Sequence, residues 1–185
     1  MRTIEKIVYN FDELSDEAKD NALTNYSCET DFFWSNDYLE TIKKGLSFYG
    51  ASIKHWSIDW NYASQSYVKF EFDNDEIETL LGNRLFKYLV NNFETYFCKY
   101  AKKNQKTLDG NCPFTGFCAD EDFLDAIRDF VKKPNNYNFR DLLEQCVENT
   151  LIAAQKDFEF QTSLEGYKEH CEANQYEFDE FGNLI

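Results

Sequence analysis

IKHWSIDWNYASQSYVKFEF, residues 53–72, carries the reading on which the fold class rests. Trp56, Ile58, Trp60 and Tyr62 alternate with Ser57, Asp59 and Asn61, and Val68, Phe70 and Phe72 alternate with Tyr67, Lys69 and Glu71. A repeat of two is the signature of a strand with one buried face. The polar link Ala63-Ser64-Gln65-Ser66 joins the two runs into a hairpin. Trp56 and Trp60 are expected in the core, and His55 on the polar side of its strand.

Outward from the hairpin the period changes to the helical one. Upstream, Tyr38, Leu39, Ile42, Leu46 and Tyr49 line one side of a helix over about 35–49, which ends at Gly50. Further upstream, FDELSDEAKDN (residues 11–21) places Ser15 as an N-cap with Asp16 and Glu17 in the first turn. TIEKIVY, residues 3–9, is β-branched and predicts a short first strand. Downstream, Phe86, Leu89, Val90, Phe93, Phe97 and Tyr100 form a helical stripe within 75–102, broken near Gly82.

A short helix over 120–132 must stop before Pro134. The longest helix starts near Asn138 and carries Leu142, Leu143, Cys146, Val147, Leu151, Ala154 and Phe158 on one stripe. Thr162 with Glu165 suggests a capping box for a last helix, and QYEF, residues 175–178, suggests a final strand. The expected fold is α+β: a small, mostly antiparallel sheet of N-terminal strand, central hairpin and C-terminal strand, covered by several helices. At 185 residues a single domain over 1–185 is expected, with a turn-rich insertion loop at about 103–118.

Several chemistries lack their residues. The chain has only two histidines, His55 and His170, and no G-x-S-x-G, Walker-type or G-x-G-x-x-G glycine motif. Cys112 and Cys118 lie too far apart for the two-residue ligand spacing of zinc ribbons, and no calcium loop pattern occurs. No enzyme, metal, cofactor or small-molecule substrate is therefore expected. No run approaches 18 apolar residues and no leader pattern is present, so a soluble cytoplasmic protein with reduced cysteines is expected.

Charge is the remaining signal. Asp and Glu number 34 against 19 Lys and Arg, a formal net charge of −15, in a chain that is 18% aromatic and so folds despite its acidity. Asp12, Glu13, Asp16, Glu17 and Asp20 form one acidic cluster and Asp120, Glu121, Asp122 and Asp125 a second, whereas Lys99, Lys102, Lys103 and Lys106 form a basic island. Glu13 with Glu17, and Asp16 with Asp20, are like charges one helical turn apart, each destabilising by ~0.2–0.5 kcal/mol. Helix-dipole complementarity explains where such acids sit but not their excess. Carboxylates spaced by a turn, about 6 Å, form a ladder that fits a groove lined by Lys and Arg for phosphates.

IVYNFDELSDEAKDNAL at the start, LSFYGASIKHWSIDWNYASQSYVKFEF and NQYEFDEFGNLI at the end together resemble a family of small acidic proteins of phages and other mobile elements of Firmicutes, one that includes type II anti-CRISPR proteins. The resemblance covers about half the chain and carries no catalytic motif. It implies a phage-encoded stoichiometric inhibitor of a host defence nuclease, a type II CRISPR-Cas effector, in the host bacterial cell. On that reading the two acidic clusters bind the basic partner in competition with DNA, and the four lysines could touch nucleic acid in a ternary complex. An antitoxin-like or regulatory protein that neutralises another basic partner is the alternative.

Overall fold

The computed structural model describes residues 6–93 and 114–185, and within them the fold is α+β. The chain divides into two compact units, residues 34–155 and a second made of residues 1–33 with 156–185.

The larger unit holds α2 (Ser35–Phe48), the hairpin β1 (Ala51–Ser57) and β2 (Tyr67–Phe72), α3 (Asp75–Glu78), α4 (Gly82–Asn92), α5 (Ala119–Lys132) and α6 (Phe139–Gln161) up to Gln155. β1 and β2 pair antiparallel, with Ala51 opposite Phe72 and Ile53 opposite Phe70. A bulge between Ile53 and His55 then shifts the register, so that Trp56 falls opposite Val68. One inserted residue reconciles the odd-numbered inward positions Ala51 and Ile53 with the even-numbered Trp56, because it restores all three to one face. Phe70 and Phe72 drive that face into a core with Ile42, Leu46, Tyr49, Leu85, Leu89, Phe123, Ile127, Phe139 and Leu142. Trp60 packs against this core, but Trp56 remains 49% exposed at the far end of the strand, against expectation.

The expected helix over 75–102 appears as α3 and α4, interrupted before Gly82; its residues 94–102 lie outside the described ones. The expected insertion loop likewise falls outside over 103–113. At the start of α6, Asn138 Oδ1 accepts from Asp141 N at 2.9 Å, capping the helix where the sequence placed it. Arg140 in its first turn ion-pairs with Glu78 of α3, donates from Nη1 to the Phe70 carbonyl of β2 at 3.2 Å, and lies over the Phe70 ring at 5.2 Å. One side chain thus ties three elements.

The smaller unit holds α1 (Asp16–Glu29), the last turns of α6 from Lys156, α7 (Leu164–Asn174) and the C-terminal tail. Its core is Phe11, Leu14, Ala18, Ala22, Tyr167, Cys171 and Phe178. Ser15 caps α1, accepting from Ala18 N at 3.2 Å. α7 is capped by Ser163, which accepts from Gly166 N at 3.1 Å, and Thr162 instead bonds back to the Phe158 carbonyl at 2.9 Å.

The expected terminal strands are not formed as strands. Among the described residues, Tyr9 and Phe178 meet in one antiparallel bridge with two 2.9 Å bonds, and Phe178 bridges once more to Leu184. The chain leaves extended geometry on both sides of these bridges. Residues 11–13 coil into a 3₁₀ turn that buries Phe11, and Asp179 turns the tail by accepting from the main-chain N–H of Phe181 at 3.0 Å and Asn183 at 2.9 Å.

Candidate functional site

The first acidic cluster surrounds the start of α1, and its members do different work. Glu13 Oε2 accepts from Asn10 N at 2.8 Å, closing a capping box on the 3₁₀ turn. Asp12 pairs with Lys168 Nζ of α7 at 2.7 Å, which raises the lysine pKa. Asp16, Glu17 and Asp20 are exposed and have no ion pair among the described residues. They project from a helix whose opposite side, Ala18 and Ala22, is buried against the unit's core. Asn21 Nδ2 also holds the tail, donating to the Phe181 carbonyl at 2.8 Å. The three free carboxylates are therefore displayed on a clamped backbone, with little ordering left to be lost on binding.

The second cluster opens α5, in the other unit, and Asp120 is not on its surface. It is fully buried. Its Oδ1 accepts from Thr41 Oγ1 at 2.9 Å and Thr115 Oγ1 at 2.8 Å, and its Oδ2 from the N–H groups of Phe114, Thr115 and Gly116 at 3.2, 2.9 and 3.2 Å. Five donors around one carboxylate make it the anchor of the 114–118 turn on α2 and α5, which corrects its assignment to a partner-binding surface. A buried carboxylate is retained where its lone pairs are satisfied in this way.

Glu121 is clasped by both Arg128 Nη atoms, and Asp125 lies 3.5 Å from Arg128 Nη1. Asp122 is half-buried. With Asp120 buried and Arg128 shared by Glu121 and Asp125, this cluster presents fewer exposed carboxylates without a cation than the first. Lys99, Lys102, Lys103 and Lys106 lie outside the described residues.

The Glu121–Arg128 pair makes a pH prediction. Arg128 holds the Glu121 carboxyl below its usual value of 4.5, chiefly through the hydrogen bond between them. A depressed carboxylate adds stability that is full above its unfolded pKa and is lost as pH falls through the lower folded one. With Glu121 about half exposed, the pair contributes ~0–1 kcal/mol. Arg128→Met is expected to melt slightly below the parent at pH 7, and thermal melts should show that gap closing as pH is lowered past about 4.

His55 is exposed on β1, and in the smaller unit His170 Nε2 lies 3.3 Å from Tyr176 OH and Nδ1 3.3 Å from Asn174 Nδ2. Among the described residues no group of three or more His, Cys, Asp or Glu is arranged to hold a metal ion, and no helix is long and apolar enough to cross a membrane. Cys28, Cys146 and Cys171 are free thiols, and burial pushes Cys146 and Cys171 upward in pKa, away from the reactive thiolate.

One feature was missed in the sequence: a groove of about 480 Å³ between the start of β2 and the middle of α6. Val68, Val147, Leu151 and Ile152 give it an apolar lining, and Glu144 and Glu148 add carboxylates one helical turn apart. Its signal was Ile152, an apolar residue off the buried stripe of the longest helix and 40% exposed.

No family model, no curated protein and no solved structure matches the chain.

Proposed function

We propose that this protein is a non-enzymatic, stoichiometric inhibitor that uses the acidic face of α1 to occupy the DNA-binding channel of a basic nuclease in the host bacterial cytoplasm, a type II CRISPR-Cas effector being the target that its sequence resemblance implies. The observation that carries this reading is the set of exposed carboxylates Asp16, Glu17 and Asp20, unpaired among the described residues, on a helix locked from behind. Carboxylates held about 6 Å apart compete with phosphates for Lys and Arg and speed the encounter with a basic groove.

The cluster at α5 has a lesser role in this reading, since Asp120 is buried and Glu121 and Asp125 are engaged by Arg128.

The test is guide-directed DNA cleavage by a panel of type II CRISPR-Cas nucleases, titrated with the protein at low and high salt. Loss of cleavage near one equivalent, weakened by salt, is expected. The triple variant Asp16→Lys, Glu17→Lys, Asp20→Lys should inhibit roughly 10- to 100-fold less well, because each reversal turns an attraction into a repulsion. Its fold should persist, as the lost dipole complement of the first turn costs only about 1 kcal/mol, checked by circular dichroism. Full cleavage at all ratios rejects the nuclease target, and unchanged inhibition by a folded triple variant removes α1 from the mechanism.

A further inference from the structure

β2 has a second edge, the one away from β1 and beside α6. Asp73 N donates to the Gly50 carbonyl at 2.8 Å, which sets the odd-numbered residues of this strand toward β1. Alternate residues of an antiparallel strand direct their main-chain groups to opposite edges, so Phe70 and Val68 face away from β1. Phe70 confirms this, since its carbonyl is taken by Arg140 Nη1. At Val68, which lines the groove, no side chain among the described residues takes the corresponding place. Such an edge is a template for another strand.

The groove also specifies side chains. Val68, Leu151 and Ile152 offer apolar contact, and the Trp56 side chain lies on the same face as Val68 across the hairpin. Opposite, among the described residues, Glu148 receives only the Gln145 amide at 3.2 Å, and Glu144 pairs at 3.9 Å with Arg140, already committed to Glu78. Two under-neutralised carboxylates beside an apolar floor call for Lys or Arg interleaved with apolar residues. From Glu144 to Gln155 the helix runs ~16 Å, the length of about five extended residues.

We infer that this groove binds an extended segment of a partner protein in which basic and apolar residues alternate, added to the β2 edge as a third strand at Val68. A helical segment would satisfy its own main chain and leave Val68 unused. This site lies in the 34–155 unit and does not depend on the acidic face of α1.

The test uses the full chain, isotope-labelled, and an acetylated and amidated peptide of alternating Lys and Val, about five residues long. Binding is expected with slowed amide exchange at Val68, and a Glu-Val peptide should not bind. Glu144→Lys with Glu148→Lys, both exposed positions, should weaken the Lys-Val peptide roughly tenfold or more without altering the fold. The Asp16, Glu17, Asp20 triple variant should bind it as the parent does, so failure here and failure of the inhibitor reading are separate results. No binding, unchanged exchange at Val68 in the bound state, or indifference to the double reversal overturns the inference. Tighter binding of a basic helical peptide that leaves Val68 exchange unchanged also overturns it.

Discussion

Asp120→Ala is expected to destabilise the 34–155 unit by about 3–5 kcal/mol, the range for removing one partner from a buried charged network. The variant strands the Thr41 and Thr115 hydroxyls and the N–H groups of Phe114, Thr115 and Gly116 at the place where their common acceptor was. Each buried donor without an acceptor costs ~1–3 kcal/mol, but Gly116 is exposed and the turn can relax toward water, so the five do not add in full. Asp120→Asn keeps one acceptor oxygen and sets an amide NH2 against main-chain donors, for about half the loss. Thr41→Val removes a single donor and is expected to cost ~1 kcal/mol. All three tryptophans, Trp34, Trp56 and Trp60, lie in this unit, so tryptophan fluorescence in a urea titration follows its unfolding in particular. A midpoint for Asp120→Ala equal to that of the parent would show that the carboxylate is not the anchor of the turn.

Asp120 also marks the boundary of what a sequence can say about such a site. Asp120, Glu121 and Asp122 at a helix start read as dipole-complementing surface acids, and nothing local separates the first from the others. The distinguishing signal sat 79 residues away: Thr41 falls on the buried stripe of α2 beside Tyr38 and Ile42, and a hydroxyl there needs an acceptor. Elements set by local periodicity were legible, namely α2, β2, α5 and α6, because their apolar spacing of 3.6 or 2 is itself the cause of their burial, whereas the first arm of the hairpin, expected through Tyr62, ends at Ser57. Terminal strands were not. TIEKIVY and QYEF have the right residues, but a ladder needs length on both sides, and the turn at Asp179 and the 3₁₀ turn at 11–13 leave one bridge between Tyr9 and Phe178. The bulge after Ile53 was equally hidden, since a period-two pattern cannot show where a residue is inserted. For the candidate site, the exposed carboxylates Asp16, Glu17 and Asp20 were readable from helix phase, whereas the partners of Asp12 and Glu121 come from tertiary packing and from a seven-residue reach along α5.

Gly182→Ala is expected to unfold the C-terminal tail from α1, at a cost well above that of the same substitution at Gly116. The two glycines have nearly the same backbone, with φ of +86° and +87°, where an L residue costs ~1–2 kcal/mol. Around Gly116 an added Cβ meets nothing within 4 Å, so Gly116→Ala should lose only that conformational term. At Gly182 the added carbon would lie 2.0 Å from the Ala18 carbonyl oxygen and 2.9 Å from its carbon, main-chain atoms of α1 that cannot swing aside. Either α1 or the tail must move. If the tail moves, Phe178, buried beside Phe11 and Cys171, loses its cover, and the total should reach about 3–5 kcal/mol, the loss typical of a large buried aromatic. Since no tryptophan lies in this unit, the change should leave tryptophan fluorescence native while amide exchange along α1 accelerates. The inhibitor reading adds a consequence. Asp16, Glu17 and Asp20 would keep their charge but lose the clamped backbone that displays them, so Gly182→Ala should weaken nuclease inhibition about tenfold through the ordering it must then supply on binding. Inhibition preserved in a variant whose α1 amides exchange freely would mean that charge alone, and not its fixed spacing, is what the partner reads.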